Sequence, residues 1–95
     1  MGLDAMGMAR PLQSSLTPEL LKAVDHALAG DGKAAHEIVQ DHEGDPHANW
    51  IHAVVHRMEG DLGNARYWYE RSPRPFRPEL STSDELLEIR AALRG

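Results

Sequence analysis

With 95 residues, a formal net charge of −5 and no cysteine, the chain has room for one domain with a small core, and it cannot build a disulfide framework, a thiolate metal site or a cysteine nucleophile. The charge is uneven: residues 1–48 carry three basic and eight acidic side chains, residues 49–95 seven of each, and an acidic half opposes phosphate backbones, so nucleic acid is disfavoured as a partner. No apolar run is long enough for a membrane span, Asp4 precedes any basic residue where a signal peptide would begin, and a cytoplasmic protein is expected.

Residues 1–16 hold no continuous apolar run and are expected to be a flexible N-terminal segment ahead of a single domain over 17–95. Thr17-Pro18-Glu19 reads as an N-cap, a proline at the first helical position and an acid in the first turn, which starts a helix at 18–29. Gly30 supplies a left-handed stop and Asp31 a cap for a second helix, 32–43. Asp45-Pro46 starts a third helix, 46–59, and Gly60-Asp61 turns it into a fourth, 62–72. The result is two hairpins, 18–43 and 46–72. Pro73, Pro75 and Pro78 make 73–81 an extended linker. Thr82 and Glu85 then form a capping box for a last helix, 83–94, in which Arg90 and Arg94 suit the C-terminal dipole.

The two hairpins repeat at a spacing of thirty residues. Ala23, Val24, His26, Gly30, Asp31 and Ala35 recur as Ala53, Val54, His56, Gly60, Asp61 and Ala65, where composition alone would give about one or two identities. Leu20, Leu21, Val24 and Leu28 in the first helix, and Trp50, Ile51, Val54, Val55 and Met58 in the third, form matching apolar stripes. Ile38 and Val39 correspond to Trp68 and Tyr69, so the core thickens toward the second hairpin. Leu86, Ile89 and Leu93 give the last helix an apolar face to lay on the open end of that hairpin as a cap. The expected fold is all-α: two antiparallel helical hairpins and a C-terminal capping helix.

Gly60-Asp61, Ala65 and Tyr69, with Ala53 at the small position of the preceding helix, resemble the second half of a tetratricopeptide or Sel1-like repeat. Gly30-Asp31, Ala35, Val39 and Pro46 fit a first repeat in the same way, so the likeness covers about residues 18–78. It departs from the family in its shorter period and in His52 and His56, which stand where that family has apolar residues. The segment ending Glu59-Gly-Asp-Leu-Gly-Asn-Ala-Arg-Tyr-Trp-Tyr69 is also similar to small bacterial and fungal proteins of unassigned function, a likeness that brings no activity with it.

Two groups of residues carry candidate chemistry. His52, His56 and Glu59 share the side of the third helix opposite its apolar stripe, and two histidines one turn apart can share a metal. The pattern lacks the glutamate of the metalloprotease motif, and the histidines are read first as plain polar, groove-lining residues, then as a face that recognises a ligand by hydrogen bonds, and only then as metal ligands. Asp41, Glu43 and Asp45 alternate like calcium ligands, but Pro46 and His52 replace the glycine and the bidentate glutamate of an EF-hand loop, so calcium is dismissed. The second group is Tyr67 with Arg66 and Arg71, beside Arg74 and Arg77. Aromatic residues with arginine concentrate binding energy at interfaces, although core aromatics beside a solvated edge give the same pattern.

No catalytic motif and no cofactor site are apparent. The expected function is a protein or peptide interaction module, with a second copy of the chain among its partners. Its concave face, lined by the first helices, would offer Asn49, His52, His56 and His26. The alternative is a small metal-binding protein or enzyme that uses His52, His56 and Glu59.

Overall fold

The computed structural model describes residues 16–95; its first helix, α1, spans Leu3–Leu28. The flexible segment expected over 1–16 therefore lies, Leu16 apart, outside the described residues. The other helices are α2 (Gly32–Val39), followed by a 3-10 turn at Gln40–His42, α3 (Pro46–Met58), α4 (Leu62–Tyr69) and α5 (Thr82–Arg94). The described residues contain no strand and no helix long and apolar enough to cross a membrane. Pro18 lies inside α1 instead of opening it, so the start read at Thr17-Pro18-Glu19 is corrected; proline removes one helical hydrogen bond without having to end the helix.

The hairpin turns are built twice from the same parts. Gly30 and Gly60 have φ of +87° and +79°, the left-handed region that a Cβ resists. Beyond each glycine an aspartate reaches back: Asp31 N–H donates to the His26 carbonyl at 2.8 Å, and Asp61 N–H to the His56 carbonyl at 2.9 Å. Each aspartate then caps the next helix, Asp31 accepting from Ala34 N–H at 3.1 Å and Asp61 from Asn64 N–H at 3.3 Å. The Asn64 side-chain amide also donates to Asp61, and these bonds hold the Asp61 carboxyl below its ordinary range. At the start of α3 Asp45 accepts from Ala48 N–H with Pro46 in the first turn.

Within each hairpin α1 packs on α2 and α3 on α4, and α2 packs on α3 to join the two. The last helix departs from the expected position. Instead of covering the open end at α4, α5 lies along α1 and α3, and its Leu86 and Ile89 are buried with Val24, Trp50, Ile51 and Val54. Burial of Trp50 (2 % exposed) and Tyr69 is as the apolar pattern requires, while Trp68 is half-buried and Leu87 exposed.

Glu85 explains where α5 sits. It is fully buried and accepts from the Trp50 indole N–H at 2.8 Å, the Tyr69 hydroxyl at 2.7 Å and the Arg57 guanidinium at 2.8 Å. Arg57 also donates to the Leu80 carbonyl at 2.7 Å, tying the linker to α3. Burial, and then the Glu85 carboxylate, push the Tyr69 hydroxyl above its usual range. The capping box is corrected with it: Ser81, not Thr82, caps α5 by accepting from Asp84 N–H, and Glu85 is taken by its three donors.

Candidate metal centre

The i, i+4 spacing sets His52 and His56 one turn apart on α3, with their rings stacked at 5.0 Å between centroids. They face α2 and α4, the side of α3 away from α5. His36, on α2, meets both edge-on, at 4.6 Å from His52 and 5.6 Å from His56. One ring nitrogen from each of the three histidines lies within 4.8 Å of the other two. From the opposite side Trp68 of α4 lies flat on His52, 4.0 Å away with planes 13° apart. Two hairpins thus close on one imidazole.

His52 is 3 % exposed, and loss of hydration pushes its pKa down from 6.5 to about 3, with the neighbouring His36 and His56 adding to the effect. It stands as a neutral imidazole with a lone pair. His52 Nδ1 and His56 Nδ1 are both buried without a hydrogen-bond partner. Glu59 Oε1 approaches His56 Nδ1 to 3.3 Å but outside hydrogen-bonding geometry. Unmet nitrogens of this kind are costly and call for a partner. Beside them a groove of about 430 Å³ is lined by Lys33, His36, Glu37, Gln40, His56 and Glu59.

Three imidazoles suit a first-row transition metal. Tetrahedral zinc at about 2.0–2.1 Å from nitrogen needs ligand atoms about 3.3 Å apart, so side-chain rotation must draw these nitrogens together from their present spacing. His36 and His56 line the groove, whereas His52 is stacked against Trp68.

The expected site residues divide. His52 and His56 meet as expected, and Glu59 stands at the rim. The third member, His36, was not anticipated: helical periodicity relates residues along one helix, whereas His36 comes from α2 across the packing of α2 on α3. The polar pattern Lys33, His36, Glu37 on α2, continued by Gln40 just past its end, is the signal that could have pointed to it. The concave face is corrected as well. Its proposed lining does not form one surface, because α5 covers α1 and α3 and the histidines turn toward α2 and α4. Asn49 is buried and donates from Nδ2 to the Arg71 carbonyl at 3.2 Å, which fixes the chain after α4. His26 is half-buried in α1 and does not join the cluster.

Arg66 and Tyr67 of α4, with Arg71 two residues past its end, form a separate place. Tyr67 is 47 % exposed with the Arg71 guanidinium 3.7 Å from its ring centroid, and Arg66 lies 5.3 Å from the Phe76 ring beside a second groove. No family model, no curated protein and no solved structure matches this chain.

Proposed function

We propose that the protein binds a divalent transition metal, zinc foremost, through the imidazoles of His36, His52 and His56. The observation that carries this is the convergence of three ring nitrogens within 4.8 Å, two of the histidines having a buried nitrogen without a hydrogen-bond partner. Depressed protonation of His52 supports it, because a metal needs the free lone pair. The frame is a pair of tetratricopeptide-like units, a view supported by the matching glycine and aspartate geometry of the two turns.

The test is calorimetric titration of zinc into chelator-treated protein, paired with thermal unfolding. One equivalent should bind, and excess metal at about a hundred times Kd should stabilise by about 2.7 kcal/mol. His36→Ala should remove both effects. Absence of saturable binding, or equal binding by His36→Ala, would overturn the assignment.

A second reading, a protein-binding edge on α4, is favoured by Tyr67, an exposed aromatic held in place by Arg71. Affinity capture with the intact chain and with Tyr67→Ala tests it: a partner lost on substitution supports the edge, and an unchanged set of partners removes it.

A further inference from the structure

Three imidazoles leave a metal short of its usual coordination. Structural zinc sites close with four protein ligands, whereas three leave a position for water or an incoming ligand. The direction of that position follows from which histidines are covered. His52 is buried under Trp68, while His36 and His56 line the groove, so the open side of an ion between the three faces the groove.

The charges of the groove make its ligand conditional. Lys33 contributes +1 and Glu37 and Glu59 contribute −2, so the formal sum without metal is −1. A divalent ion on neutral imidazoles raises it to +1, and the field at the open position changes sign. Lys33 and the Gln40 amide are the donors that line the same groove.

Resting on the metal-binding reading, we infer that the centre takes a small oxyanion, a carboxylate or a phosphate, on its open coordination position, with Lys33 as counter-charge, and takes it only when metal is bound. The carboxylates of Glu37 and Glu59 repel such an anion from the empty groove. The ion is what lets it in.

Cobalt(II) bound to the full chain supplies the readout, because its visible bands report coordination. Acetate and methyl phosphate are titrated into the cobalt-loaded protein, and both are titrated by calorimetry into the metal-free protein. The expected result is a saturable shift of the cobalt bands with at least one anion, which identifies carboxylate or phosphate as the preferred class. No binding should occur without metal, and Lys33→Met should weaken anion binding about fivefold with the cobalt bands unchanged at the start. Cobalt bands that neither anion moves, and that collapse in Glu59→Gln, would show a site closed by Glu59 and overturn the inference while leaving the metal site standing. Anion binding of equal strength to the metal-free protein would overturn it too. Absence of cobalt bands altogether would fail the metal-binding reading itself.

Discussion

Trp68 and His52 lie face to face at 4.0 Å, one from each helix of the second hairpin, so an indole forms one wall of the three-histidine cluster. The contact makes the tryptophan a reporter of what the histidine binds. Copper(II) or cobalt(II) added to the metal-free protein should quench the Trp68 emission, and quenching should be weaker in Trp68→Phe, where only Trp50 emits, its indole turned to Glu85. Equal quenching in both proteins would place the metal elsewhere.

The same burial predicts how the metal-free protein responds to acid. His52 has a pKa of about 3 in the folded chain and an ordinary value of 6.5. Between these values the unfolded chain binds a proton that the folded chain does not, so stability is full above about pH 6.5 and falls as the pH drops toward 3. The slope from this residue approaches about 1.4 kcal/mol per pH unit. Urea midpoints of wild type and His52→Gln between pH 7 and pH 4 check it: the mutant should lose this part of the slope. Equal slopes would mean that His52 is protonated in place.

His52→Gln should also cost stability at neutral pH, because a 3 % exposed ring stacked on Trp68 is a packing element. Replacement of His56, which is more exposed, should cost less. Thermal unfolding of the two single mutants ranks them, and the reverse order would contradict the packing described.

Glu85→Ala should destabilise by about 3–5 kcal/mol, since it leaves the Arg57 guanidinium, the Tyr69 hydroxyl and the Trp50 indole N–H without their common acceptor. It should leave zinc affinity nearly unchanged in protein that remains folded, because Glu85 and the histidines lie on opposite sides of α3. Denaturant titration measures the first effect and calorimetry the second. A loss below about 1 kcal/mol would show that the cluster relaxes around the gap.

Gly30→Ala and Gly60→Ala meet no atom within 4 Å, so their cost is that of a Cβ at positive φ alone, about 1–2 kcal/mol each. The two turns share no residue, and the losses should add in the double variant. A neutral effect at either position would mean that the backbone there can leave the left-handed region cheaply.

The helices were legible because their boundaries are written locally. Gly30-Asp31, Asp45-Pro46 and Gly60-Asp61 each fix a turn or a cap within a few residues, and the structure uses them as read. Two of the three histidines were legible for the same reason, since His52 and His56 are one turn apart on one helix. His36 and the seat of α5 were not, because each depends on which helices meet, and a stripe of leucines says that a face is buried without saying against what. Glu85 shows the limit best: its position invites a capping role, and only the arrival of Trp50, Tyr69 and Arg57 from two other helices assigns it to the core.

The placement of α5 against α1 changes how the chain can come apart. An open stack of hairpins holds each unit only by its neighbours and can fray from one end. Here Arg90 reaches Asp25 at 3.3 Å across 65 residues of chain, and the final helix is packed on the first. Detaching either terminal helix strips the other, so the linear array becomes a closed unit that should unfold cooperatively, and closure of the long loop between α1 and α5 should slow its folding.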